Sequence, residues 1–150
     1  MLLAVGLPAG AATTASRVNV VLRGGGGDSV DSLVAAPASV RSGFVTFVVK
    51  NKGRIGPAQV YGVANNLIVH ELVVLRTGLP PSKLPHTSGK PGAINYTRAV
   101  EVGRVAPPLI VGPLQTRTIT LNLKPGKYVL ISNLQDDYLR GAHAAFRVTG

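Results

Sequence analysis

Short runs of β-branched and aliphatic residues, each bounded by glycine, proline or asparagine, recur along the whole chain, and no stretch shows sustained helical periodicity. Chains with this pattern bury their apolar side chains between packed β-sheets. We therefore predict an all-β fold, a two-sheet β-sandwich of about eight strands. The predicted strands are residues 18–23, 29–35, 43–50, 66–76, 99–105, 115–123, 127–133 and 143–148.

Two of these strands differ in how many of their faces are apolar. In residues 116–123 apolar and polar side chains alternate, which predicts a strand that is covered on one face only. Residues 67–75 are apolar on both faces, as expected of a central strand, yet they include His70 and Glu71. Polar residues within a central strand are candidates for a functional site.

Two connections also stand out. Residues 124–127 read Lys-Pro-Gly-Lys and predict a tight turn between antiparallel strands, because Pro125 fixes its own φ and Gly126 tolerates a positive φ. Residues 77–98 contain four prolines and show no strand or helix pattern. A connection of that length usually covers or binds something.

The composition is that of one packed domain. The chain has 150 residues, of which 45% are hydrophobic and 15% charged, so it can bury a core without a metal or a disulfide. It has no cysteine. Disulfides, thiolate metal sites and cysteine nucleophiles are therefore excluded.

The first twelve residues are uncharged and rich in Leu, Ala and Gly, and Ala9-Gly10-Ala11 fits the small-x-small pattern that signal peptidase reads. This run is too short for a membrane-spanning helix. We predict that residues 1–15 are a signal peptide or a disordered N-terminus, that residues 16–150 form the domain, and that the protein is periplasmic, secreted or at the cell surface. Because a basic n-region is lacking, an uncleaved hydrophobic terminus remains the alternative.

The chain carries 16 Lys and Arg against 6 Asp and Glu, a formal net charge of +10. Such a field favours an anionic partner, such as lipid headgroups, wall polymers or an acidic protein. The basic residues are dispersed, with no aromatic-interleaved cluster, so we expect no specific nucleic-acid site. Solvated surface charge on a monomer explains the same distribution.

Three patterns, in this order, resemble the cupredoxin family, which includes plastocyanin and azurin. Residues 43–51 read as a strand that ends in asparagine, and residues 70–72 read His-Glu-Leu. Residues 125–128 then read Pro-Gly-Lys-Tyr, residues 132–138 read Ser-Asn-Leu-Gln-Asp-Asp-Tyr, and residues 141–142 read Gly-Ala. The family typically has Pro-Gly-x-Tyr, Cys-Asn-Leu-Pro-Gly-His-Tyr and Gly-Met there. The resemblance spans roughly residues 18–148 and implies Greek-key connectivity.

The resemblance also implies which residues stand at the copper-ligand positions. Cupredoxins hold copper with two histidines, a cysteine thiolate and a weak axial methionine. The matching positions here are His70, Ser132, Asp137 and Ala142. Three of the four ligands are replaced, and without a thiolate a blue-copper centre cannot form. We therefore expect a noncatalytic binding or structural module with no cofactor, although copper is the cofactor that the family implies.

Alternatives remain for the polar residues at these positions. His70, Asp137 and His143 make a nitrogen and oxygen set that could bind Cu(II) or Zn(II), which would indicate a copper-binding or electron-transfer protein with a non-standard site. In an extended chain, however, Ala142 and His143 point to opposite faces. The simpler interpretation is that His70 is hydrogen-bonded to the neighbouring loop, and that Ser132 and Asp137 satisfy the polar groups of their turn.

A hydrolase triad of Ser132, His70 and Asp137 is not predicted, since no Gly-x-Ser-x-Gly elbow surrounds the serine. We therefore expect that the protein is not an enzyme. Half of the six acidic residues are Glu71, Asp136 and Asp137. They could attract a cation or anchor a basic residue such as Arg140.

Overall fold

The structure is a computed structural model that describes residues 14–24, 31–53, 69–87, 97–98, 103–134 and 136–150. The predicted signal peptide falls almost wholly outside the described residues. Within the described ranges, no helix has the length and apolar character needed to cross a membrane.

The described residues form nine strands in two sheets. The strands are β1 (Ser16–Arg23), β2 (Ser32–Ala36), β3 (Ser39–Arg41), β4 (Gly43–Asn51), β5 (His70–Arg76), β6 (Leu109–Val111), β7 (Thr116–Leu123), β8 (Gly126–Ile131) and β9 (His143–Thr149). One sheet has the order β2-β1-β4-β7 and the other β3-β9-β8-β5-β6. The chain changes sheet after β2, β3, β4, β6 and β7, and β1 pairs in parallel with β4. The prediction of an all-β, two-sheet sandwich is confirmed.

The main core lies between the two sheets and comes from alternate residues of the strands, as the two-residue period of a strand requires. Phe47 of β4 and Phe146 of β9 meet edge to face across it, with ring centroids 5.4 Å apart. Ile119 and Leu121 of β7 are half-buried against this core, while the alternating polar residues 118, 120 and 122 are exposed. The prediction that this strand is covered on one face is therefore confirmed.

Strand β5 is buried on both faces, as predicted for a central strand. Its residues Leu72 and Val74 belong to the core between the sheets. Val73 and Leu75 join a second cluster on the outer face of the five-stranded sheet, together with Leu84, Val129, Ile131 and Tyr138. The segment after β5 covers this face through the 3-10 turn Pro81–Lys83, and the Leu84 amide donates a hydrogen bond to the Tyr138 hydroxyl at 2.9 Å.

The predicted strand at residues 99–105 is wrong where the structure describes it. Residues 103–105 contain only an isolated bridge between Arg104 and Leu75. Two strands, β3 and β6, were not predicted. Each has three residues, too few to show an alternating pattern.

The predicted turn at residues 124–127 does not join paired strands, because β7 and β8 lie in different sheets. Gly126 already belongs to β8, and the positive φ values among the described glycines are at Gly24, Gly43 and Gly141. Glycine serves a different purpose at position 126. A Cβ there would lie 3.3 Å from the Arg76 Nε, and the Arg76 guanidinium donates a hydrogen bond to the Pro125 carbonyl at 3.0 Å.

Asn51, at the end of β4, ties the two sheets together beside the start of β5. It is fully buried. Its side-chain amide donates to the Val111 carbonyl of β6 at 3.0 Å, and its Oδ1 accepts from the Gly53 amide at 2.7 Å. Val111 is in turn the register partner of His70, so Asn51 fixes the end of the sandwich where His70 lies.

Glu71 is a buried carboxyl on β5, with 6% of its surface exposed. Burial raises the pKa of Glu71, a hydrogen bond from the Asn133 backbone lowers it by less, and nearby Asp137 raises it further. The folded protein therefore retains a proton on Glu71 at pH values where the unfolded chain has lost it.

We predict that Glu71→Gln flattens the dependence of stability on pH. Since the folded pKa lies above the unfolded value, Glu71 contributes a loss of stability as the pH rises from the unfolded pKa through the folded one. The variant should be more stable than the parent at neutral pH, by on the order of 1 kcal/mol, and equally stable at acid pH. Urea denaturation from pH 4 to pH 8 measures the difference, and parallel curves for the two proteins would contradict the prediction.

Candidate functional site

The four positions that the cupredoxin resemblance assigns to metal ligands lie at one end of the sandwich. His70 begins β5, Ser132 follows β8, and Asp137 and Ala142 lie in the turn between β8 and β9. The Asp137 amide donates to the Leu134 carbonyl, the Ala142 amide to the Asp137 carbonyl, and the Ser132 amide to the Ala142 carbonyl, at 2.8, 2.9 and 3.0 Å. The backbone of this turn therefore closes on itself and brings three of the four positions together.

The side chain of Asp137 joins His70 and Ser132. Its Oδ2 lies 2.8 Å from the His70 Nδ1 and accepts a hydrogen bond from the Ser132 hydroxyl at 2.5 Å. The Ser132 oxygen accepts a hydrogen bond from the Glu71 amide at 3.0 Å. All three side chains are buried, with exposed fractions of 1% for His70, 0% for Ser132 and 6% for Asp137. The distance to Ser132 is typical of a hydroxyl that donates to an ionised carboxylate.

The second ring nitrogen of His70 is left without a hydrogen bond. Its Nε2 is buried and has no partner among the described residues. Because Nδ1 faces a carboxylate oxygen, Nδ1 carries a proton that it donates to Asp137.

A second carboxylate, Asp31, lies close to this group and was not found from the sequence. It precedes β2 and is 1% exposed. Its carboxylate is paired with the Arg140 guanidinium at 3.0 and 3.1 Å. Burial and the charge of Asp137 raise the pKa of Asp31, whereas the charges of Arg140 and His70 lower it. The site thus contains two buried carboxylates, a buried imidazole and a partly exposed guanidinium.

Gly24, at the end of β1, makes room for Asp31. Its φ is 131°, a conformation that disfavours other residues. A Cβ at this position would lie 1.7 Å from the Asp31 Oδ1. The four consecutive glycines from position 24 draw attention to this place in the sequence, but nothing in them indicates that an acidic side chain folds back over Gly24.

His143 lies on another face of the sheet. Ala142 is fully buried in the core between the sheets, and the His143 ring packs against Tyr138 with centroids 5.3 Å apart. Burial lowers the pKa of His143. Within the described part of the chain, no group of three or more His, Cys, Asp or Glu side chains is arranged to hold a metal ion. The structure thus brings His70, Ser132 and Asp137 together and places His143 on the opposite side from Ala142.

No protein-family model matches the chain, and no curated protein matches it. Solved structures do. The chain is 16% identical to dithionite-reduced auracyanin from Roseiflexus castenholzii, over 88% of this chain and 97% of that one, with a TM-score of 0.52. It is 10% identical to an azurin from Methylomonas sp. strain J, over 91% and 100% of the two chains, with a TM-score of 0.50.

A longer protein shares the same domain shape. A multi-copper oxidase from Pediococcus acidilactici is 14% identical, with a TM-score of 0.52, and the match covers 99% of this chain but only 30% of the oxidase. At such low identities the likeness concerns the arrangement of the strands, which agrees with the two-sheet sandwich described above. The chain therefore has a cupredoxin-like fold.

Proposed function

We propose that the protein is an exported, monomeric cupredoxin-like β-sandwich that has lost the type-1 copper ligands and acts as a noncatalytic binding or structural module. The observation that carries the proposal is the Asp137 carboxylate, which forms hydrogen bonds with both Ser132 and His70 at the positions where the family resemblance places copper ligands. Hydrogen bonds within the protein thus stand in for bonds to a metal.

The donors at these positions do not fit a blue-copper centre. That centre needs a thiolate, and the chain has no cysteine. The Ser132 hydroxyl is neutral, and its proton is already donated to Asp137. The methyl group of Ala142 has no lone pair to offer in place of a thioether. These positions therefore do not supply the ligands with which cupredoxins bind type-1 copper.

The same network supports a stable end to the sandwich without a metal. A buried carboxylate is costly unless it is paired and hydrogen-bonded. Asp137 is paired with His70 and accepts from Ser132, while Ser132 also accepts from the Glu71 amide. These contacts join the start of β5 to the turn after β8, the two segments from which the ligands of a cupredoxin come.

The order of the hydrogen bonds also supports a noncatalytic role. In a hydrolase triad the serine is bonded to the histidine, and the histidine to the carboxylate. Here the carboxylate lies between the two, because Ser132 donates to Asp137. The serine is also fully buried. His70 is therefore not placed to take a proton from Ser132.

A second candidate function is metal handling through His70, Asp137 and His143, as a copper-binding or electron-transfer protein. The observation in its favour is the buried Nε2 of His70, which has no hydrogen-bond partner among the described residues. Imidazole and carboxylate donors suit Cu(II) and Zn(II). The position of His143 against Tyr138 favours the first candidate.

Titration with metal separates the two candidates. We expect calorimetric titrations of the purified protein with Cu(II), Cu(I) and Zn(II) to show no stoichiometric site with a dissociation constant below about 1 μM. His70→Ala and His143→Ala serve as matched variants. A tight site that disappears in both variants would overturn the first candidate in favour of the second.

Restoring the family ligands tests the assignment of positions. The triple variant Ser132→Cys, Asp137→His, Ala142→Met should bind copper and develop the intense absorption band of a copper–thiolate bond, visible by spectrophotometry. The double variant without Ser132→Cys should remain colourless and is the control. Because Ala142 is fully buried, the added methionine is expected to cost about 1–3 kcal/mol. A triple variant that is folded by circular dichroism, yet colourless with copper, would contradict the assignment.

A further inference from the structure

A groove lies on the outer face of the five-stranded sheet, at the end away from His70. It has a volume of about 400 Å³, within the range of small-molecule sites. Val129 and Ala145 are register partners on β8 and β9, and they form its floor. The segment from Thr77 to Pro81 forms one wall, with Leu79 46% exposed.

Two cations line the same groove. Lys127 of β8 and Arg147 of β9 are directly opposite each other in the register. The backbone shows which kind of pair they form. The Lys127 carbonyl accepts from the Thr77 amide, and the Arg147 amide donates to the Ala38 carbonyl, so the hydrogen-bonding groups of both residues face away from each other. In such a non-hydrogen-bonded antiparallel pair the side chains are at their closest.

This pair of like charges is unfavourable by itself. Like charges that lie directly opposite on neighbouring strands destabilise a sheet. In the described part of the chain, no ion pair joins Lys127 or Arg147 to a carboxylate. The repulsion is therefore not relieved by an acidic side chain among these residues.

We propose that this groove binds a small amphipathic anion, an aryl or alkyl carboxylate, sulfonate or phosphate ester. Its acidic group lies between Lys127 and Arg147, where charge-assisted hydrogen bonds replace the repulsion. Its apolar part lies on Val129 and Ala145 and against the prolines of the Thr77–Pro81 wall. The groove is thus a specific anion-binding site in a chain whose basic residues are otherwise dispersed. Binding at the groove does not depend on whether the His70 end binds a metal.

Calorimetric titration with naphthalene-2-sulfonate and with octanoate tests the inference. We expect at least one probe to bind with one-to-one stoichiometry and a dissociation constant below about 1 mM. Lys127→Gln and Arg147→Gln should each weaken that binding about tenfold, because each removes a hydrogen bond to a charged group. Lys50→Gln is the matched control, since it removes the same charge from an exposed position on β4 in the other sheet.

Further titrations test whether both the acidic group and the apolar part of the ligand contribute to binding. Inorganic sulfate and neutral 2-naphthol should each bind at least about tenfold more weakly than naphthalene-2-sulfonate. Ala145→Leu, whose larger side chain fills the floor of the groove, should weaken binding of the probe although it removes no charge. The inference is overturned if neither probe binds, if Lys50→Gln weakens binding as much as the groove variants do, or if sulfate or 2-naphthol binds as tightly as the probe.

Discussion

The hydrogen bonds of the Asp137 carboxylate hold together the end of the sandwich where cupredoxins carry their metal. This carboxylate is 6% exposed and has the imidazole of His70 on one side and the Ser132 hydroxyl on the other. A buried charge without such partners would cost several kcal/mol, on the order of 3–5 when one member of a pair is removed. The three side chains therefore depend on one another, and the neighbouring ion pair joins the buried carboxylate of Asp31 to the partly exposed guanidinium of Arg140 at the same end.

The apolar core of the sandwich lies apart from this network. The core between the sheets is built from aliphatic residues and the contact between Phe47 and Phe146, and the outer face of the five-stranded sheet has its own cluster beneath Tyr138. Stability thus comes from apolar burial, while the polar end only has to satisfy its own hydrogen bonds. Because stability comes from the apolar core, a chain without cysteine can adopt the strand arrangement of a copper protein.

Local patterns were sufficient to predict much of the fold. The alternation in β7 and the two-sided apolar run in β5 gave the correct burial, because both are set by the two-residue period of a strand. The turn at residues 124–127 was misjudged for the opposite reason. Its Pro-Gly sequence suits a hairpin, but which sheet the next strand joins is decided by packing, and the Arg76 side chain lies close to Gly126.

In the candidate site, too, the residues within a local motif were predicted and those that meet only through the fold were not. His70, Ser132 and Asp137 were identified because family motifs surround them, and they do lie together. Asp31 was missed because its partner, Arg140, is 109 residues away, and no local pattern reports such a contact. His143 is adjacent to Ala142 in sequence, but the alternation of β9 turns its ring towards Tyr138.

The ion pair between Asp31 and Arg140 also has a consequence for the order of folding. Its two residues come from opposite ends of the chain, so loop closure over nearly the whole domain is needed before they can meet. During synthesis β1, β2 and β4 emerge early and can form most of one sheet, whereas Arg140 emerges only just before β9. The ion pair therefore cannot form until most of the domain has been synthesised.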